Sequence, residues 1–383
     1  MKETWCVCRV LSKAGGAYSL EKRMLRMHDQ VISEVSSAYE YKDDWPGYVF
    51  VPPFCNLHAH LGESVFRNID GNDWSLKKYL NYTNERNEEI SKEEQQLIWE
   101  QSADATIDEM SRHGIALFCA GRSAEPAKRH GKLTMAGYPI MNNEKIIEYK
   151  EKGIQGFDHY ISEYQNDRIS IGVFLHSLYA NDLSSLKLAK ECMDNGSEFI
   201  TIHISEDKES RQNELKLYGE SPLRVLNQSG LLTEKTILIH CGYADTEDIE
   251  MIADAGATIV ICPVSNHFLN TKMPDVQLLE KKHIRWCVAT DGWATGRTLS
   301  LIEQAQCLHK QFPDVSSEKL FDHITYIPGS LFHRGLYTGK IEKNVENKFL
   351  RVSYGGDSAE ELIDMIMSGY SEVHLVSLEG GHM

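Results

Sequence analysis

Long hydrophobic runs are missing from this sequence of 383 residues. A helix that crosses a bilayer needs about 20 consecutive apolar residues, and no stretch of the chain approaches that length. The opening residues, Met-Lys-Glu-Thr-Trp-Cys, contain no apolar core of the kind that a secretory signal has. The sequence therefore predicts a cytoplasmic protein that has no membrane partner.

An excess of basic residues is also missing. The chain has 40 lysines and arginines against 56 aspartates and glutamates, which gives a formal net charge of −16. This charge repels the phosphates of nucleic acids and of anionic lipids. We therefore expect neither nucleic acid nor a lipid surface as a partner.

The nine cysteines do not form the pattern of a disulfide-stabilised protein, because their number is odd and the chain is long. Most of them lie in apolar runs, as do Cys119, Cys241, Cys262 and Cys287. We expect reduced thiols that pack as small core residues. Cys6 and Cys8 would share one face of a strand, but no nearby residues complete a metal site there.

Short runs rich in β-branched residues alternate with helical stretches along most of the chain, which is typical of parallel βα units. There are eight such runs, the number of strands in a closed barrel. They are residues 48–54, 115–120, 132–137, 171–176, 198–203, 236–241, 258–262 and 284–291. The sequence thus predicts an α/β protein with a (β/α)8 TIM-type barrel.

The two ends of the chain depart from this pattern. Residues 1–50 and 338–383 contain short strand-like segments, and neither end is large enough to fold well alone. Pairing them gives one small composite β domain, next to a barrel of residues 51–337.

Five polar residues fall at the carboxyl ends of four predicted barrel strands. His58 and His60 end the first strand, His203 the fifth, His240 the sixth and Asp291 the eighth. Side chains at positions i and i+2 of a strand project from the same face, so His58 and His60 can bind one ion. One His-x-His pair arises easily by chance among 16 histidines. Chance is a poor explanation for four histidines and one aspartate that all fall at the carboxyl ends of strands, which is where the active sites of such barrels lie.

These residues lie in motifs that resemble those of the amidohydrolase superfamily, and more narrowly its cytosine deaminase and chlorohydrolase-like branch. The segment Asp73-Trp74-Ser75-Leu76, with Tyr79-Leu80, resembles the first inserted helix of that branch. Pro52-Pro53 departs from the usual Pro-Gly before the first motif. The matching motifs, in the family's order, are Phe54-Cys55-Asn56-Leu57-His58-Ala59-His60, His203-Ile204-Ser205-Glu206, Ile239-His240-Cys241, Cys262-Pro263-Val264-Ser265-Asn266 and Thr290-Asp291-Gly292.

The resemblance implies that His58, His60, His203 and Asp291 bind one divalent metal ion, commonly zinc, with iron or manganese as alternatives. Imidazole nitrogens and a carboxylate oxygen are suitable ligands for zinc. Many amidohydrolases hold two metals that are bridged by a carbamylated lysine on the fourth strand. The predicted fourth strand, residues 172–176, contains no lysine, so we expect a mononuclear site.

The resemblance also implies catalytic roles for Glu206, His240 and Asp291. A divalent ion lowers the pKa of its bound water from about 15.7 to about 7 and so supplies hydroxide. Asp291 would accept a hydrogen bond from the water, and His240 would orient it or stabilise the tetrahedral centre. Glu206 would carry protons. Judged by spacing alone, Glu206 is equally well explained as a solvated acid in the acidic segment 206–209.

Substrate contacts are harder to assign. His176, at the end of the fourth predicted strand, is either a substrate contact or a buried structural histidine. Trp293 either stacks on a flat ring or packs under a loop. Loops at the same end of the barrel carry four further candidates, Asn266, His267, Arg67 and Arg122.

The leading prediction is a mononuclear metal-dependent hydrolase that deaminates an amino-substituted heterocycle of the purine, pyrimidine, pterin or triazine type. An alternative keeps the site but opens a cyclic amide or imidazolone ring, or removes chloride from an aromatic ring. A catalytically silent metal-binding scaffold is a further alternative. The presence of both Glu206 and His240 argues against it. The resemblance also suggests a homodimer.

Overall fold

The computed structural model of the chain describes residues 3–71, 73–88, 90–144 and 146–378. The chain divides into two compact units. Unit 1 consists of Met1–Asn56, Asp108–Leu117 and Ser300–Met383, and unit 2 of Leu57–Ile107 and Phe118–Leu299. The last residues of the predicted composite β domain, 379–383, and residues 1 and 2 lie outside the described part.

The strands of the described chain are numbered in sequence order. They are β1 (Glu3–Ala14), β2 (Ala17–His28), β3 (Val31–Ser37), β4 (Tyr48–Val51), β5 (Phe54–His60), β6 (Ile115–Gly121), β7 (Leu133–Pro139), β8 (Ile169–Ser177), β9 (Ile200–Ile204), β10 (Thr236–His240), β11 (Thr258–Ile261), β12 (Arg285–Val288), β13 (Asp291–Gly292), β14 (Phe349–Ser353) and β15 (His374–Val376).

The helices follow the same convention. They are α1 (Leu76–Glu88), α2 (Lys92–Arg112), α3 (Ala124–Arg129), α4 (Ile147–Glu151), α5 (Gly153–Tyr164), α6 (Leu183–Asp194), α7 (Lys208–Tyr218), α8 (Pro222–Gln228), α9 (Thr246–Ala255), α10 (Pro263–Phe268), α11 (Val276–Lys281), α12 (Leu301–Gln311), α13 (Ser317–Asp322), α14 (Tyr326–Gly329) and α15 (Ala359–Met367). A 3-10 helix spans Leu61–Phe66. Among the described residues, no helix combines the length and the apolar character needed to cross a membrane.

A nine-stranded sheet carries the strands predicted for the barrel, in the order β12-β11-β10-β9-β8-β7-β6-β5-β13. The last predicted strand is split into β12, which pairs in parallel with β11, and β13, which pairs in parallel with β5. Strand pairing therefore runs through eight strand positions and returns to the first, as in a TIM-type barrel. The predicted α/β barrel class is confirmed.

A six-stranded sheet in unit 1 has the order β15-β14-β4-β1-β2-β3. It contains strands from both ends of the chain, and its core includes Cys6, Cys8 and Phe50. None of the nine cysteines, all of which the structure describes, forms a disulfide, as predicted, and eight of them are buried. That this sheet is a separate domain, with boundaries at residues 50/51 and 337/338, stays a prediction.

The first predicted strand, residues 48–54, is wrong in its extent. Tyr48–Val51 forms β4 of the six-stranded sheet, and the barrel strand β5 begins only at Phe54. Pro52 and Pro53 lie between the two strands. Proline has no backbone N–H to donate to a strand ladder, so this pair interrupts the run that the apolar composition suggested.

Backbone strain is concentrated where barrel strands end. Six non-glycine residues at or just after these ends have left-handed φ angles between 44° and 71°. Side chains with a Cβ rarely adopt this region, and such residues cluster at functional sites. The six are Arg122, His176, Ser205, His240, Cys241 and Asp291. The carboxyl ends of the strands are therefore the place to look for function.

One carboxyl group in unit 2 is buried without a charged partner close enough to neutralise it. Glu214 on α7 is 1% exposed; one of its oxygens accepts the N–H of Tyr179 at 3.3 Å, and Oε2 has no hydrogen-bond partner. Burial raises the pKa of Glu214 to about 8, although the backbone N–H groups of Tyr179 and Leu178 lower it. The charged form is thus disfavoured in the folded protein.

We expect Glu214→Gln to stabilise the protein at alkaline pH. Because the folded-state pKa lies above the unfolded one, the stability that the neutral carboxyl provides is present below pH 4.5 and is lost as the pH rises through about 8. The variant should be more stable than the wild type at pH 8.5, by roughly 4–5 kcal/mol, and should therefore unfold at a higher temperature there. At pH 4.5 the two proteins should unfold at similar temperatures.

Thermal unfolding at the two pH values measures this difference. Glu209→Gln is the matched control, because Glu209 lies on the same helix with a half-exposed side chain. Equal stabilisation at both pH values, or none at pH 8.5, would contradict the assigned pKa.

Candidate metal centre and active site

Four of the predicted site residues meet at the carboxyl ends of β5, β9 and β13. The Nε2 atoms of His58, His60 and His203 lie 3.1–3.2 Å from one another. Asp291 Oδ1 is 3.2 Å from His58 Nε2 and 3.1 Å from His60 Nε2. The pairing of β13 with β5 places Asp291 opposite Ala59, so its carboxylate lies between the two histidines of the His-x-His pair.

This arrangement fits a single divalent ion. The Nδ1–H of His203 donates to the carbonyl oxygen of His176 at 2.8 Å, which leaves a lone pair on His203 Nε2. Lone pairs and a carboxylate that face one another at this distance repel unless a cation lies among them. The four ligand atoms all lie within 4.8 Å of one another, and three imidazoles with one carboxylate suit zinc. Strand β8 contains no lysine that could bridge a second metal.

The second oxygen of Asp291 is held by two hydroxyl groups. Ser265 Oγ donates to Asp291 Oδ2 at 2.5 Å, and Thr295 Oγ1 donates to the same atom at 3.2 Å. Such hydrogen bonds orient a ligating carboxylate. Although burial opposes it, the neighbouring rings of His58 and His60 hold the pKa of Asp291 well below its ordinary value. Sequence reasoning quoted Ser265 within a motif but missed Thr295.

Glu206 and His240 form a pair beside the cluster. His240 Nε2 lies 3.5 Å from Glu206 Oε1, and the two residues are 1% and 5% exposed. Glu206 is therefore not the solvated acid that its acidic neighbours suggested. Burial, with the nearby charge of Asp291, raises the pKa of Glu206 well above its ordinary value. Burial also lowers the pKa of His240 to about 4, so this ring is neutral near pH 7.

Asn266 lies behind His240. Its amide nitrogen is 3.4 Å from His240 Nδ1 and donates to Thr271 Oγ1 at 2.8 Å. In this orientation of the amide, His240 accepts at Nδ1, and the proton of the neutral ring is on Nε2. That proton faces Glu206.

A cavity of about 100 Å³ opens over the cluster. Predicted site residues contribute His60, His176, His203, Glu206, His240 and Asp291 to its lining. Sequence reasoning missed Glu63, Tyr79, Tyr179 and Thr295, which also line it. The other five substrate candidates, Asn266, Trp293, His267, Arg67 and Arg122, are not among the residues that line this cavity. Asn266 is 1% exposed behind His240, and the half-buried Trp293 ring lies 5.5 Å from the Arg67 guanidinium carbon.

One feature of the sequence, the glycine of the Thr-Asp-Gly motif, is linked to the position of Glu63. A Cβ atom at Gly292 would clash with Glu63 Oε2, so the carboxylate occupies the space that this glycine leaves open. Gly292 is the third residue of the Thr-Asp-Gly motif. Glu63 Oε1 lies 3.9 Å from His60 Nδ1, and its Oε2 makes no hydrogen bond of normal geometry. The glycine of the motif thus makes room for a carboxylate next to a metal-ligand candidate.

Comparison with known proteins agrees with this geometry. The sequence profile of the amidohydrolase family matches residues 49–346. A curated relative, the 5-methylthioadenosine/S-adenosylhomocysteine deaminase of Pyrococcus furiosus, is 24% identical over 348 residues, which is 86% of this chain and 81% of that protein.

Solved structures share the fold. Guanine deaminase from C. acetobutylicum superposes with a TM-score of 0.82 at 17% identity, over 98% of this chain and 99% of that one. Atrazine chlorohydrolase from Arthrobacter aurescens TC1, complexed with zinc, superposes with a TM-score of 0.78 at 17% identity, over 93% and 88%. Because the family profile matches well over half of the sequence, the chain belongs to the amidohydrolase family and is a hydrolase, as its motifs predicted.

Proposed function

We propose that this protein is a mononuclear metal-dependent deaminase that replaces the amino group of a heterocyclic ring by oxygen and releases ammonia. One observation carries the proposal: the buried Glu206–His240 pair lies beside three histidines and an aspartate in the same cavity. A metal-binding scaffold would need the four ligands but no proton-carrying carboxyl group next to them. The curated relative of Pyrococcus furiosus, a deaminase by name, supports the same reaction.

His58, His60, His203 and Asp291 would hold the ion, which we propose to be zinc. A divalent ion bound there would lower the pKa of a water molecule from about 15.7 to about 7. The hydrogen bonds from Ser265 and Thr295 to Asp291 Oδ2 keep the other oxygen, Oδ1, directed at the cluster.

Glu206 would carry protons between water and substrate. Its carboxylate would take one proton from the attacking water and donate it to the ring nitrogen next to the reacting carbon. It would then take the second proton, from the hydroxyl group now on that carbon, and pass it to the departing amino group. One water molecule and one ring amine thereby give one carbonyl group and one ammonia. Burial raises the pKa of Glu206, which brings this carboxyl group closer to the pH at which it must both accept and donate.

His240 would act as a hydrogen-bond donor. Asn266 places the ring proton on His240 Nε2, and burial keeps the ring neutral. A fixed donor of this kind stabilises the negative charge that develops on oxygen at the tetrahedral carbon, because it is already oriented before the reaction.

We propose an adenine-type purine ring as the substrate core. The ring-sized cavity presents the side chains of His176, Tyr79 and Tyr179, whose flat faces suit a planar ligand. The curated relative named above acts on adenine compounds by its name. Ring opening and dechlorination stay the alternatives, and the substrate panel distinguishes them from deamination.

Four further features stay proposals. They are a cytoplasmic location, a homodimer, the absence of nucleic acid or membrane partners, and a composite β domain of residues 1–50 and 338–383 with a barrel of 51–337. Strands of both chain ends in one six-stranded sheet support the last of them.

We expect about one zinc ion per chain in the wild type, and His203→Ala should weaken zinc binding by at least about 100-fold. The substitution removes one of four converging ligands. Added zinc should raise the unfolding temperature of the wild type and leave that of the variant almost unchanged. Metal analysis and thermal unfolding measure both effects.

His159→Ala is the control for that experiment, because the His159 side chain is 80% exposed on α5. Equal zinc affinity of the wild type and His203→Ala would refute the proposed ligand set.

We expect Glu206→Gln to reduce kcat for ammonia release by roughly 10²–10⁴-fold, since the amide cannot carry a proton. The assay uses zinc-loaded protein and a panel of aminopurines, aminopyrimidines, aminopterins, aminotriazines and their nucleosides. Zinc content should be unchanged in the variant. Glu209→Gln, on the exposed start of α7, is the matched control and should retain full activity.

The possible outcomes of the substrate panel test the role of Glu206 and the deamination reaction separately. Ammonia release that survives Glu206→Gln would refute the proton-carrying role. No ammonia from any compound, with one metal per chain bound, would refute deamination and leave ring opening or dechlorination, which chloride and imidazolone assays detect.

A further inference from the structure

A second and larger cavity in unit 2 adjoins the metal pocket. Its volume is about 610 Å³, and it shares His60, Glu63, Tyr79 and Leu80 with the lining of the small cavity over the cluster. Under the proposed function the heterocyclic ring would occupy the small cavity, and the larger one would then have room for a substituent of several atoms that is attached to the ring. We call it the side cavity.

The side cavity contains a guanidinium group stacked on an indole. The guanidinium carbon of Arg122 lies 4.3 Å from the centre of the Trp99 ring, and both residues line the cavity. A Cβ atom at Gly62 would lie 2.5 Å from Trp99 Cδ1, so this glycine allows the indole to pack against the backbone. Gly62, Trp99 and Arg122 thus form a layered wall that holds the guanidinium in place.

The guanidinium group of Arg122 has few hydrogen-bond partners. Its Nη2 donates to Gln96 Oε1 at 3.2 Å, whereas its Nε is buried and has no hydrogen-bond partner. Within the described parts of the chain, no carboxylate forms an ion pair with this guanidinium. A buried donor without a partner is costly, because it has lost its hydrogen bonds to water. Within the described chain the terminal nitrogens of Arg122 make the one hydrogen bond to Gln96, so they can donate to a ligand with oxygen acceptors.

The backbone at Arg122 is also strained. Its φ angle is 59°, in the left-handed region, and Arg122 directly follows β6. Of the six left-handed residues at the barrel strand ends, His176, His240 and Asp291 line the metal pocket, Ser205 precedes Glu206, which also lines it, and Cys241 directly follows His240. Arg122 is the one that lines the side cavity instead. Strain of this kind costs about 1–3 kcal/mol and persists at positions where it serves function.

Packing places Arg122 close to the metal cluster. Its neighbour Gly121 leaves room for the Phe174 ring, since a Cβ there would lie 2.7 Å from Phe174 Cδ1. The Phe174 ring centre is in turn 6.4 Å from that of His60 and 5.9 Å from that of His203. A substrate that reacts at the metal can therefore reach Arg122 along the face of Phe174.

The two ends of the side cavity carry different charges. Glu63 is at the end shared with the metal pocket, whereas Arg122 lies beyond Phe174. The other carboxylates of the lining, Glu144 and Glu148, are exposed to solvent, which screens them. The partly buried guanidinium is therefore the charge that a ligand group in the outer part of the cavity would meet with least screening.

We propose that the side cavity is a second substrate subsite, in which Arg122 binds an anionic group, a carboxylate or a phosphate, on a tail attached to the amino-substituted ring. The inference rests on the proposed function for the ring itself. A planar guanidinium with free N–H groups forms paired hydrogen bonds with either anion, and its stacking on Trp99 fixes the direction of these bonds.

Three adenine nucleosides that differ only at the 5′ position test the proposal. Adenosine has a neutral tail, adenosine 5′-carboxylic acid a carboxylate and adenosine 5′-monophosphate a phosphate. Their binding is measured by calorimetry on zinc-loaded Glu206→Gln protein, which prevents turnover, with and without Arg122→Gln. The two anionic nucleosides show whether the subsite prefers a carboxylate or a phosphate, because the preferred ligand loses more affinity on the Arg122→Gln substitution.

We expect Arg122→Gln to raise the Kd of the preferred anionic nucleoside by about tenfold or more and that of adenosine by less than about twofold. Arg122→Lys keeps the charge without the planar fork and should give an intermediate Kd. Unfolding temperatures check that each variant is folded. Arg112→Gln is the control, because Arg112 is 69% exposed at the end of α2 and does not line the cavity. Equal losses for neutral and anionic ligands, or no loss, would overturn the subsite.

The same variants separate this inference from the proposed function. Inorganic phosphate and propionate, which contain no ring, should bind weakly to the wild type and not to Arg122→Gln. Arg122-dependent binding of these anions without ammonia release from any adenine compound would refute adenine deamination and support the subsite. Ammonia release from all three nucleosides with unchanged KM in Arg122→Gln would refute the subsite and support deamination.

Discussion

Mutual repulsion among three imidazole nitrogens and a carboxylate oxygen, all within 4.8 Å, is the constraint around which the active-site end of the barrel is organised. Unlinked side chains do not gather in this way without a cation among them. The parallel register of the strands brings them together. Asp291 lies opposite Ala59 on β5, and Ile239 lies opposite His203 on β9. A shift of one residue in either pairing would turn the ligands to the other face of the sheet.

For the residues around this cluster, the orientation of each polar atom matters as much as the residue type. A carbonyl oxygen at His176 sets the tautomer of His203, and the Asn266 amide does the same for His240. Two hydroxyl groups fix Asp291. Each contact decides which atom of a ring or carboxylate faces the cavity, and thereby which atoms remain available for an ion or a proton.

Glycines, which have no side chain, also shape the site. Gly292 leaves space for the Glu63 carboxylate, and Gly121 leaves space for the Phe174 ring between the metal cluster and the side cavity. Left-handed backbone at several strand ends adds a cost of about 1–3 kcal/mol for each such residue, which the packed barrel below must offset. The stability of the strands and the geometry of the site are thus coupled, because strain at the strand ends is tolerated only on a rigid sheet.

Sequence alone determined the barrel class, the order of its strands and the residues that meet at the metal centre, because β-branched runs and the spacing of His58 and His60 are local properties. Tertiary structure decided the rest. It showed Glu206 to be buried and moved Asn266 behind His240. It brought Glu63 and Thr295, which no local pattern marked, to the small cavity, and it placed the candidate Arg122 in the side cavity instead. These residues lie on loops and short helices, where the direction of a side chain depends on what packs against it rather than on a repeating period.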